Sequence, residues 1–113
     1  SNPIRPVALE ATKSYESVNG PDSMSVFVAN AFDANMLLRA GLTSALAKEK
    51  PGTDTFRAAL RDSLERVQGL VTTQGVINMS ATDHVGYDHR AAVMMQITNG
   101  SWKYIKQDAA PVK

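Results

Sequence analysis

The run from Met24 to Leu46, MSVFVANAFDANMLLRAGLTSAL, limits what this chain can fold into more than any other stretch. It is the longest apolar-rich run, and its spacing is helical. Met24, Phe27, Val28, Ala31, Asn35, Leu38, Leu42 and Ala45 recur at steps of three and four, as one buried helix face must. Leu37, Gly41 and Leu46 widen that stripe, so the second half is expected to be buried from two sides. The alternative is a short strand from Met24 to Val28 with Asn30 capping a shorter helix. The unbroken spacing through Asn30 favours the single helix. Asn30, Asp33 and Asn35 interrupt an otherwise apolar background, and a buried carboxylate needs a partner. Asp33 therefore has either a structural bond to satisfy or a ligand to face.

Upstream, Pro3 and Pro6 give an extended lead-in, and Val7, Ala11, Tyr15 and Val18 predict a short helix from about Val7 to Ser17. Asn19-Gly20-Pro21-Asp22 ends it, and Asp22 or Ser23 is positioned to cap the long helix. Lys48-Glu49-Lys50-Pro51-Gly52 stops that helix, with cations at its C-terminus where they help. Thr53-Asp54-Thr55 offers caps for a third helix, Phe56 to about Val67, with Phe56, Leu60, Leu64 and Val67 as its apolar stripe. Arg61–Glu65 and Asp62–Arg66 stand at i,i+4 on its wet side.

The period then changes. Leu70-Val71-Thr72-Thr73 and Val76-Ile77-Asn78-Met79 read as short strands, with Gly75 between them as a turn or bulge. Ser80 to Asp88 reads as a loop. Ala91 to Thr98 predicts a strand with Val93, Met95 and Ile97 on one face and Met94 on the other, both at least partly covered. Asn99-Gly100 is a hairpin turn signal leading into Trp102, Tyr104 and Ile105. Residues 108–113 read as a disordered tail. Three helices followed by a few strands make a thin α+β layer, and a strand covered on both faces needs neighbours that this chain hardly supplies.

Composition narrows the function classes. The formal charge is +1, with Lys and Arg scattered rather than clustered, so there is no electrostatic footprint for nucleic acid or anionic lipid. No run reaches the ~20 apolar residues of a membrane span. The chain has no cysteine, which excludes disulfides and thiolate metal sites. No signal peptide is visible, but Ser1-Asn2 reads as the remnant of a removed tag, so a signal could lie upstream.

Few constellations carry chemistry. Asp83, His84, Asp88 and His89 share one loop and could serve a small metal-dependent enzyme, although a spacing of five in a loop fixes no geometry. The plainer reading is ordinary loop residues. Asn78-Met79-Ser80 and Asn99-Gly100-Ser101 match the glycosylation pattern by chance. Trp102 is better explained by cross-strand packing than by ligand stacking. No serine or threonine has a recognisable base partner, so no catalytic residue is expected, nor any metal or cofactor. Asn30 and Asp33, with Phe27 and Phe32 beside them, remain as the candidate ligand face.

Phe32-Asp33-Ala34 within FVANAFDANMLLRAGL resembles the tyrosine-aspartate-alanine helix near the C-terminus of type I periplasmic solute-binding proteins, of the leucine/isoleucine/valine-binding branch of ABC importers. Phe56 to Glu65 is similar to the family's next helix, Thr73 to Gly86 to its glycine–strand–loop segment, and Val93 to Trp102 to its closing hairpin. Phe32 departs from the family in lacking the tyrosine hydroxyl. The resemblance implies an α/β fragment, residues 3–107, forming the C-terminal third of a two-lobed fold that closes on a ligand. It further implies a periplasmic binding component for amino acids or similar organic solutes, without enzymatic activity and partnered by a membrane permease. A ligand-sensing module on the same fold is the alternative. Phe27 falls at an apolar ligand-contacting position of the family, with Asn30 and Asp33 nearby. Without the upstream lobes, the exposed apolar faces are expected to drive self-association or strand swapping.

Overall fold

A computed structural model of the protein describes residues 2–105. The expected tail at 108–113 and the first residue of the expected tag remnant lie outside them. The order is three helices and then two small antiparallel sheets: α1 (Ile4–Asn19), α2 (Val26–Leu46), α3 (Asp54–Leu64), β1 (Leu70–Val71), β2 (Val76–Ile77), β3 (Met95–Thr98) and β4 (Ser101–Tyr104). The fold class expected from the sequence is the one observed.

α1 is longer at both ends than the periodicity predicts. It begins at Ile4, whose N–H donates to Asn2 Oδ1 at 3.0 Å, and it absorbs Pro6 in its first turn, where a missing N–H costs nothing. Gly20 ends it at φ 92°, with its N–H on the Glu16 carbonyl at 2.9 Å.

The cap of α2 is neither Asp22 nor Ser23 but Ser25, whose Oγ accepts from the Val28 N–H at 3.3 Å. Asp22 is held at φ 58° in the preceding turn, and the Ser23 hydroxyl is turned back onto the Gly20 carbonyl at 2.6 Å.

The buried face of α2 also differs from the expected stripe. Phe27, Ala31, Asn35 and Leu38 are exposed, and the inward line is Asp33, Leu37, Gly41 and Ala45, spaced by four. Two neighbours select this face. A Cβ on Gly41 would lie 2.6 Å from Leu64 Cδ2, so only glycine lets α3 approach this closely. Asp33, on the same line, finds its donors in the turn after β1.

α3 starts as expected on Thr53, whose Oγ1 accepts from the Phe56 N–H at 3.1 Å. It stops at Leu64 rather than Val67. The i,i+4 pairs Arg61–Glu65 and Asp62–Arg66 do not form. Arg61 turns to its neighbour Asp62, and Glu65 meets His84. Val67 instead joins the following segment, accepting from the Met79 N–H at 2.8 Å.

β1 and β2 pair Leu70 with Ile77 and Val71 with Val76, and Tyr87 adds an isolated bridge to Ile77. Val76, Ile77 and Met79 are buried here, and Gly86, at φ 70°, fits beneath them. A Cβ on Gly86 would lie 2.8 Å from the Met79 sulfur.

The strand expected over Ala91–Thr98 is shortened. Residues His89–Ala91 form a 3-10 turn capped by Asp88, and only Met95–Thr98 pairs, with β4. Asn99 and Gly100, at φ 51° and 75°, make the two-residue turn predicted for them. The expectation that both faces of this strand are covered fails among the described residues. Val93, Met94, Met95 and Ile97 are all exposed, as are Trp102, Tyr104 and Ile105 on the returning side.

Candidate functional site

Asp33 is 3% exposed, and its carboxylate is enclosed by donors from two distant segments. Oδ1 accepts from the Thr73 N–H at 2.7 Å. Oδ2 accepts from the Gln74 N–H at 3.2 Å and from the Tyr87 hydroxyl at 2.9 Å. The turn between β1 and β2 runs through Thr72-Thr73-Gln74-Gly75 and is closed by Thr72, whose N–H and hydroxyl both donate to the Gly75 carbonyl. Asp33 thus supplies acceptors for the two N–H groups that this tight turn leaves unpaired.

The electrostatics follow from that enclosure. Burial alone would push the Asp33 carboxyl up, but the bonds from Thr73 and Tyr87 outweigh it and hold the carboxyl below its ordinary value of 3.8. Tyr87 is raised above 10.0, by burial first and then by donating to the Asp33 carboxylate. Asp33 is therefore an anion at neutral pH and Tyr87 a neutral donor.

Tyr87 also packs on the turn. A Cβ on Gly75 would lie 2.6 Å from Tyr87 Cδ1, so the ring needs glycine at that position. Next to the buried carboxylate, Gln74 Nε2 donates to Asn30 Oδ1 at 2.5 Å, and the Thr73 hydroxyl reaches the Ala29 carbonyl at 3.4 Å. Phe27, one helical turn before Asn30, is 80% exposed. The three candidate residues therefore divide: Phe27 and Asn30 stand at the surface, and Asp33 sits beneath them, fixing the helix–turn contact. A separate shallow cleft of about 250 Å³ lies between α1 and α2, lined by Val7, Glu10, Ala11, Phe32, Met36 and Thr73, among others.

Thr73, Gln74 and Tyr87 were not singled out by sequence reasoning. The available signal was the demand itself, a carboxylate in an apolar helix that must find donors. Nothing local names the donors, which lie 40, 41 and 54 positions away.

The Asp83–His89 loop spends its carboxylates on neighbouring backbone and on Arg90. Asp83 Oδ1 accepts from the N–H groups of Val85 and Gly86 at 3.0 and 3.1 Å, and Asp88 is held by the Arg90 backbone and guanidinium. The Arg90 bonds keep the Asp88 carboxyl at about 2. His84 Nε2 lies 3.2 Å from Glu65 Oε1. Among the described residues, no three such side chains gather as metal ligands would. Asn78 of the first glycosylation pattern accepts from the Gly69 N–H at 2.9 Å, and Trp102 stands across from Ile97 in the hairpin.

Comparison with solved structures places this arrangement. Over 94% of its length the chain is similar to a protein of Rhodopseudomonas palustris strain CGA009, at 34% identity and a TM-score of 0.82, covering 30% of that protein. An extracellular ligand-binding receptor from R. palustris HaA2 matches with the same identity, coverage and score. Another extracellular ligand-binding receptor from this species is 37% identical over 83% of the chain and 26% of its own length, with a TM-score of 0.72. No family model and no curated protein matches. No described helix is long and apolar enough to cross a membrane. The chain spans about 30% of the length of these receptors and has, over that span, the type I periplasmic-binding fold of an extracellular ligand-binding receptor.

Proposed function

We infer that this chain is the C-terminal part of the substrate-binding component of an ABC importer, acting in the periplasm on amino acids or similar small organic solutes. The observation that carries the reading is 34% identity across 94% of the chain to an extracellular ligand-binding receptor. A likeness this long at this identity extends beyond a shared fold.

In this reading the two lobes of the intact receptor close on the solute, and the chain contributes part of one wall. Phe27 offers an exposed ring, Asn30 an exposed amide, and Asp33 the buried anchor that holds the neighbouring turn in place. No catalytic step is assigned to any of them. The partner is a membrane permease, which accepts the solute when the lobes reopen.

The test uses the protein as its genome encodes it, with whatever precedes and follows this chain. It is melted in the presence of the common L-amino acids and a set of small organic acids. A solute that binds only the folded protein stabilises it by about 2.7 kcal/mol at a hundredfold excess over Kd, which appears as a saturable rise of several degrees. Absence of any such rise across both sets overturns the reading.

A further inference from the structure

The turn between β1 and β2 sends one side chain back to α2. Gln74 Nε2 donates to Asn30 Oδ1 at 2.5 Å, while the Gln74 backbone N–H is tied to Asp33 Oδ2 at 3.2 Å. Asp33 is in turn fixed by Thr73 and Tyr87. A surface glutamine ordinarily samples many rotamers; this one is held at the head group and at the backbone. Phe27 and Asn30, three positions apart, lie on the same side of α2, and Phe27 is 80% exposed.

That arrangement leaves Gln74 Oε1, an acceptor, and Asn30 Nδ2, a donor, without protein partners among the described residues. The edge they form is uncharged. The carboxylate behind it is buried, and both its oxygens are occupied.

We propose that Gln74 determines specificity on this face. With Asn30 it presents a neutral donor–acceptor edge that reads an uncharged hydrogen-bonding group, on a solute whose apolar part rests on Phe27. The inference rests on the solute-binding reading above and adds to it the chemical group that this chain reads. Neither amide carries a charge with which to pair a charged group. An analogue lacking the hydrogen-bonding group would leave the two amides unpaired once the site closes, which is how such sites reject isosteres.

The experiment titrates the protein as encoded, as wild type, Gln74→Ala and Gln74→Leu, with three near-isosteric pairs: L-threonine and L-valine, L-asparagine and L-leucine, L-glutamine and L-methionine. The wild type is expected to favour the hydrogen-bonding member of at least one pair by about tenfold or more. Both variants should reduce that preference to about threefold or less, mainly by weakening the polar member. Their melting temperatures should stay within about 2 °C of wild type, because the backbone bond to Asp33 is untouched. A preference unchanged in both variants overturns the role of Gln74 and leaves solute binding standing. So does a wild type that binds solutes from the wider panel but none of the polar members. Failure to bind any solute of that panel overturns the solute-binding reading as well.

Discussion

Tyr87 and Asp33 lie 54 positions apart, yet the phenol donates to the carboxylate at 2.9 Å and packs its ring against Gly75, in the turn that the same carboxylate holds. One buried anion thus ties α2, the β1–β2 turn and the loop after β2 into a single junction.

Replacing Asp33 by asparagine keeps the shape but turns one acceptor oxygen into an amide donor. At least one of the three donors then faces another donor. Hydrogen bonds to charged groups are each worth about 1.5–3 kcal/mol. Asp33→Asn is expected to lower unfolding stability by about 2–3 kcal/mol in urea titrations, and Tyr87→Phe by about 1 kcal/mol. A loss below about 0.5 kcal/mol for Asp33→Asn would show that the junction carries no stability.

The same bonds set a pH dependence. The Asp33 carboxyl is held below its ordinary value of 3.8 in the folded protein. Its stabilising contribution is therefore fully present above that ordinary value and is lost as pH falls from there through the lowered folded value. Thermal melts of wild type and Asp33→Asn should differ most near neutrality and converge in acid. Parallel curves down to the lowest pH at which both fold would refute the assignment.

The α2–α3 contact gives a third expectation. Alanine at Gly41 gains about 1 kcal/mol of helix propensity, but its Cβ would sit 2.6 Å from Leu64 Cδ2 and 2.8 Å from Cγ. Overpacking of this kind costs about 1–3 kcal/mol. Gly41→Ala should therefore be neutral to destabilising in a wild-type background and stabilising, relative to its own parent, in Leu64→Ala. The sign of the coupling in the double-mutant cycle checks it; additivity would mean the two residues do not touch.

The hairpin gives a fourth. Met95, Ile97, Trp102 and Tyr104 are exposed on a two-stranded sheet whose outer edges are both unpaired among the described residues, and Val93 is exposed just before it. Apolar faces and open edges of this kind recruit a second chain. Purified by itself, this chain should sediment as a concentration-dependent oligomer, and Ile97→Thr with Trp102→Lys should shift it toward monomer. A wild-type chain that stays monomeric at high concentration rules this out.

What the sequence made legible was local. The Thr53 cap, the end of α1 at Gly20 and the Asn99-Gly100 turn depend on a few adjacent residues, and each stands where its chemistry puts it. The buried face of α2 was not legible in the same way. Apolar residues occur on every side of this helix, so spacing identifies a helix without choosing its inward side. The choice is made by Gly41, which admits Leu64, and by Asp33, which needs the turn. Both are properties of a partner element. The 3-10 turn at His89–Ala91 was hidden for a similar reason, since Asp88 caps it from just outside the apolar run that reads as strand.

The separations within the chain also order its assembly. β3 and β4 are closed by a two-residue turn, and α2 and α3 are neighbours in sequence, so each pair can form early with little loop-closure entropy to overcome. The bonds to Asp33 bridge 40 to 54 positions and give nothing until both distant segments arrive. By separation alone, the junction at Asp33 closes after the hairpin and the helix pair. That one carboxylate joins parts that are otherwise built locally.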